Sequence, residues 1–140
     1  MKQILNIKPN GGSIISSLTT GSYTRLVNNK TLSLRCAKND SFTVKETLGN
    51  GKLKYPVGLL TADEVAYAGG KSGSNNTSYY LYIGSTWWTM SPSYFGTNYA
   101  FAFNVYSNGT LYPNRNVSNS GGVRPSFTNI TKVMLRYSFS

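Results

Sequence analysis

Between Tyr79 and Phe127 the chain carries both of its tryptophans and most of its tyrosines, and no Asp, Glu, His or Cys. That content cannot supply a carboxylate pair, a metal-ligand set or a nucleophile with its base. It supplies strands. Tyr99, Phe101, Phe103 and Val105 alternate with Ala100, Ala102, Asn104 and Tyr106, which puts the two sets on opposite sides of an extended segment. Ser107-Asn108-Gly109-Thr110 follows as an Asn-Gly hairpin turn, and Leu111-Tyr112 opens the return arm. Tyr79, Leu81 and Ile83 alternate in the same way with Tyr80 and Tyr82, predicting another strand. If extended, the chain points Trp87 and Trp88 to opposite faces, so at most one of them is core. A polar loop is expected over 113–122, a short strand over 123–127 and a terminal strand over 132–139.

The earlier part of the chain is punctuated by turns. Residues 1–8 read as a strand, Pro9-Asn10-Gly11-Gly12 as a turn, and 13–18 as a second short apolar piece. Residues 23–27 and 31–36 flank Asn28-Asn29-Lys30 like the arms of a hairpin, with Leu32 and Leu34 on one face. Residues 41–44 and 53–60 are extended. One helix is clearly written. Thr61-Ala62-Asp63-Glu64 is a capping box, in which the Thr61 hydroxyl accepts from the Glu64 amide and the Glu64 carboxylate reaches back to the Thr61 amide. Asp63 and Glu64 also lie at the positive end of the helix dipole. Capping accounts for both acids without a catalytic role. Gly69-Gly70 ends the helix after about two turns.

A chain of 140 residues is the size of one domain. Only 13% of it is charged, and Gly, Ser, Thr and Asn are abundant, a composition suited to short strands and tight turns. The net charge is +10, but the bases are dispersed. This favours loose attraction to anions and does not outline a nucleic-acid groove. Cys36 is the only cysteine and there is no histidine. An internal disulfide is excluded, and neither a metal nor another cofactor is expected. Cys36 reads as a small buried hydrophobe. The first fifteen residues lack the apolar run of a signal peptide, and no window suits a membrane span.

Four segments occur in a fixed order: Tyr-Pro-Val-Gly-Leu-Leu-Thr-Ala-Asp-Glu-Val at 55–65, Trp-Thr-Met-Ser-Pro at 88–92, the hairpin at 104–111 and Gly-Val-Arg-Pro at 122–125. Over about residues 36–128 this resembles a C-type-lectin-like module of gut-type Firmicutes and their phages, of the formylglycine-generating-enzyme class that also serves the variable proteins of diversity-generating retroelements. The resemblance implies an α+β fold, strand-rich, with one or two short helices and long loops. It implies a binding domain at 36–140; residues 1–35 lie outside the resemblance and read as a separate strand-rich segment, which could dock or oligomerise. It also implies that Trp88 and Arg124 are buried, with Arg124 a hydrogen-bonded anchor, and that ligands bind near the C-terminal motif. The enzymes of that class use paired cysteines, which the second half of this chain lacks, and calcium-dependent lectins use carboxylates, absent here after Glu64.

The expectation is therefore a non-catalytic binding module of a surface or phage-associated protein, extracellular or virion-borne, that recognises a glycan or a protein through a Tyr/Asn/Ser-rich face. Tyr gives rigid amphipathic contact area, and Asn and Ser adapt their hydrogen bonds. The expected ligand-binding residues are Tyr94, Asn98, Tyr99, Tyr112, Asn114, Arg115 and Asn116, gathered at one end of the hairpin, with Arg115 offering the single charge. No catalytic and no metal-binding residue is expected. A self-associating chain fits this reading. The alternatives are a basic nucleic-acid-binding protein, or a degenerate relative of the formylglycine-generating enzymes.

Overall fold

The computed structural model describes residues 18–34 and 57–127. The expectations for residues 1–17, for Cys36, for the strand at 41–44, for the first part of the extended stretch at 53–60 and for the terminal strand at 132–139 lie outside them.

The described chain is α+β and strand-rich. β3 (Trp87–Phe95), β4 (Ala100–Val105) and β5 (Leu111–Asn116) form an antiparallel meander. The free side of β3 takes two short partners. β1 (Leu18–Thr19) pairs antiparallel with its Tyr94–Phe95 end, and β6 (Gly122–Val123) pairs parallel with Trp87–Trp88. β2 (Val57–Leu59) and β7 (Pro125–Phe127) make a separate two-stranded ribbon.

The Asn-Gly turn forms as expected. Gly109 adopts φ +80°, its N–H donates to the Tyr106 carbonyl at 2.8 Å, and the Tyr106 N–H donates to the Thr110 carbonyl at 2.9 Å. The return arm is longer than expected and runs to Asn116, so the polar loop shrinks to a tight turn closed by the Asn119 N–H on the Asn116 carbonyl. The expected strand at 123–127 is broken at Arg124 into β6 and β7, which serve different sheets. Residues 79–83 are a turn rather than a strand. The Tyr82 N–H donates to the Tyr79 carbonyl, and alternation survives only as burial, with Tyr79 and Leu81 inside and Tyr80 88% exposed.

Over the described part of the expected hairpin, residues 23–34, a helical turn replaces the first arm. α1 (Gly21–Tyr23) widens into a π-helical segment, Thr24–Asn28. The Thr20 hydroxyl caps α1 by accepting from the Tyr23 N–H. Lys30, at φ +54°, turns the chain out of it. This coil sends Leu26 into the core and Arg25 to Asp63, while Leu32 and Leu34 stay exposed. Period-two apolar spacing alone does not make a strand, and among the described residues none pairs with 31–34.

α2 (Ala62–Tyr67) starts as the capping box specifies, with both halves of the box made. Its Ala62 N–H donates to the Ser91 hydroxyl at 2.9 Å, which ties the helix to β3. The core between α2, the π-helical segment and one face of the sheet holds Leu26, Ala62, Val65, Tyr79, Leu81, Trp87, Phe103, Val105 and Leu111. Trp87, not Trp88, is the core tryptophan, at 2% exposure. Val123 is exposed at 70%, because it pairs beside Trp88 on the face turned away from that core.

Candidate functional site

In an antiparallel ladder, residues opposite one another share a face. Trp87 is opposite Val105, and Trp88 is opposite Asn104. Asn104 is opposite Tyr112, and Ala102 is opposite Arg115. The second face of the sheet therefore carries Trp88 from β3, Asn104 from β4, and Tyr112 and Arg115 from β5. Tyr106 joins them, stacked on Tyr112 with centroids 4.5 Å apart.

Arg115 organises this face. Its guanidinium carbon lies 5.4 Å from the Trp88 ring centroid and 5.9 Å from that of Tyr106, within cation–π range. One Nη donates to the Ser120 carbonyl at 2.5 Å. The backbone at 121 also lies on the indole, so close that a Cβ there would fall 2.6 Å from Trp88 Nε1. Only glycine fits. Trp88, Tyr106, Tyr112 and Arg115 are each half-buried, which leaves them partly open to a ligand.

Arg115 starts on β5, and its guanidinium contacts the ring of Trp88 from β3, on the far side of β4. The residue of that strand opposite Trp88 is Asn104. Asn104 is 0% exposed, and neither its amide oxygen nor its amide nitrogen has a hydrogen-bond partner; Arg115 Nε is likewise buried and unpartnered. An unmade buried hydrogen bond costs about 1–3 kcal/mol, and such groups in a native structure call for a reason.

The seven residues expected to form one patch are split between the two faces. The hairpin does bring its arm ends together, with Phe101 opposite Asn116. Tyr94, however, is opposite Phe101, and stacks on it and on Tyr99, both at 5.9 Å. A register shift between Pro92 and Tyr94 turns this end of β3 over. Tyr94 and Tyr99 thus belong with Phe101, on the side opposite Tyr112 and Arg115. Hydrogen bonding to Tyr94 raises the Tyr99 phenol above its ordinary value. Asn98 and Asn114 are exposed. Asn116 builds the following turn, its side-chain oxygen accepting from the Ser118 N–H and hydroxyl at 3.0 Å. The alternation of Ala102, Asn104 and Tyr106 pointed to this face in the sequence. Trp88 did not, because the identity of the core tryptophan is a tertiary fact.

Arg124 belongs with Trp87, its guanidinium carbon 5.3 Å from that ring, and it donates to the Leu81 carbonyl at 2.6 Å. It is half-buried rather than buried, and among the described residues that carbonyl is its one hydrogen-bond acceptor. A separate cleft of about 400 Å³ lies near the core, lined by Leu26, Lys30, Leu32, Ala66, Lys71 and Leu111. Its walls hold none of the unpartnered buried polar groups. Of the acids, Asp63 is held by Arg25 and Glu64 by its own helix cap. Among the described residues there is no cluster of three or more His, Cys, Asp or Glu that could hold a metal, and no helix long and apolar enough to cross a membrane.

No curated protein and no solved structure matches the chain. Residues 30–129 match the family described as Domain of unknown function (DUF6273), to which this chain therefore belongs.

Proposed function

We propose that this domain is a non-catalytic binding module that recognises a glycan or a protein through the Trp88–Tyr106–Tyr112–Arg115 face of its sheet. The observation that carries the reading is that platform itself: three half-buried rings and one guanidinium linked by ring contacts, on the same face as an unpartnered buried amide. Trp, Tyr and Arg are the side chains that most often dominate binding energy at interfaces, and flat aromatic faces accept both sugar rings and peptide side chains. The same surface lacks the acid, base or nucleophile that turnover requires. The C-type-lectin-like resemblance of the sequence agrees with a ligand face close to the C-terminal motif. A surface-displayed or virion-borne module, presenting this platform outward, is part of the reading.

Glycan-array and cell-surface binding tests it. Trp88→Ala and Tyr112→Ala are expected to lose at least about tenfold in affinity while remaining folded. Tyr94→Ala and Tyr99→Ala, on the other face, are expected to bind like the wild type. The reverse pattern would move the site to the Tyr94–Tyr99–Phe101 stack, and binding untouched by all four variants would remove both.

A further inference from the structure

The platform has a chemical bias that narrows its ligand. Arg115 is the one charged group in its ring contacts, no Asp or Glu follows Glu64 in the sequence, and Asp63 and Glu64 are held by Arg25 and the helix cap. A guanidinium edge matches a planar carboxylate with two parallel hydrogen bonds. On the same face, Asn104 has both a donor and an acceptor unmet. Phosphate and sulfate esters offer acceptors only. Sugar hydroxyls offer both, and adjacent ring hydroxyls can answer both ends of one amide. The rings of Trp88, Tyr106 and Tyr112 add apolar faces for a pyranose. On the face that carries Asn104, Arg115 is held among the described residues by one hydrogen bond, to a backbone carbonyl, and two ring contacts. A ligand carboxylate can replace all three.

Resting on the reading of this platform as the binding face, we infer that its ligand is a hexuronic-acid-containing glycan. Arg115 turns from Trp88 to the sugar carboxylate, Trp88 and the two tyrosines pack on the pyranose, and the uncovered Asn104 amide takes ring hydroxyls. The arginine is thus both lid and charge sensor.

The chain has two indole N–H groups, one in the core and one on the platform, and their NMR signals report the site directly. Oligogalacturonate and hyaluronan tetrasaccharides, added to the full chain, are expected to shift the Trp88 signal and leave that of Trp87 in place. Their methyl esters are expected to bind at least about tenfold more weakly. Arg115→Gln is expected to erase that difference between acid and ester, and Arg115→Lys to restore part of it. Asn104→Leu is expected to weaken binding of acid and ester alike. If that variant does not fold, the Arg115 pair decides alone.

Esters that bind as tightly as acids, or sulfated neutral oligosaccharides that do so, overturn the carboxylate assignment and leave the binding-face reading intact. Absence of any Trp88 shift with both uronates at millimolar concentration also overturns it. In that case the array result for Trp88→Ala and Tyr112→Ala separates failure of the ligand class from failure of the face.

Discussion

Trp87 and Trp88, neighbours in sequence, stand on opposite faces of the sheet, and each carries an arginine on its ring. Arg124 lies 5.3 Å from the centre of Trp87, and Arg115 lies 5.4 Å from that of Trp88. The two pairs differ in their surroundings. The Arg124 bond to the Leu81 carbonyl ties β6 to the core turn, whereas Arg115 reaches an exposed carbonyl in the 117–121 turn. Arg124→Ala is therefore expected to cost about 2 kcal/mol of stability, and Arg115→Ala no more than about 1 kcal/mol. Denaturant melts of the two variants side by side check this.

The Arg25–Asp63 pair fastens the π-helical segment to α2. Nε and Nη2 of Arg25 donate to the two carboxylate oxygens at 3.2 and 2.7 Å, and the Ser33 N–H adds a bond of 2.9 Å. The Asp63 side chain is 7% exposed and that of Arg25 is 37% exposed. Arg25→Ala strands a buried carboxylate, but solvent near the guanidinium screens the pair. The expected loss is about 2–3 kcal/mol, below that of a fully buried pair. A double variant, Arg25→Ala with Asp63→Asn, should recover part of it in the same melts.

Asn104 offers an inverse test. Replacing it with leucine removes an unpartnered amide from a fully buried position at similar volume. Asn104→Leu is expected to gain about 1–2 kcal/mol, read as a higher denaturation midpoint with an unchanged slope. A stabilising substitution that weakens binding is the pattern of a group kept for function.

The pH dependence follows from Tyr79. Burial raises its phenol above the ordinary value of 10.0, and the charge of Arg124 partly offsets this. Above that pH the unfolded chain gives up the proton while the folded chain holds it. The unfolded state then binds fewer protons, and stability falls as pH rises. The contribution is complete below about pH 10 and is lost above it. Tyr79→Phe should flatten the alkaline decline in melts between about pH 9 and 11. It should cost little at neutral pH, because the hydroxyl has no partner to lose.

Two glycines with positive φ separate strain from collision. At Gly109 a Cβ would meet the Asn76 carbonyl oxygen at 1.7 Å, on top of φ +80°; at Gly73, φ is +83° with nothing within 4 Å. Gly109→Ala is expected to cost more than about 3 kcal/mol. Gly73→Ala should cost only the strain of about 1 kcal/mol. Thermal melts of the two variants rank them.

By itself the sequence determined the local devices. The Thr61–Glu64 box starts α2 because its donors and acceptors lie within one turn of each other. Asn108-Gly109 closes the hairpin because glycine relaxes the φ that the turn needs. The alternation through 99–106 made β4 a strand, since period two is a property of the backbone. The tertiary structure decided what depends on distant partners. Residues 23–28 coil rather than extend because Arg25 finds Asp63 and Leu26 finds the core. Trp87 rather than Trp88 is buried because β3 turns that side to α2 and Leu26. The expected binding residues were divided because a register shift near Pro92 sends Tyr94 to the other face. A one-residue slip reverses every side chain beyond it, and nothing in local composition marks where the slip falls.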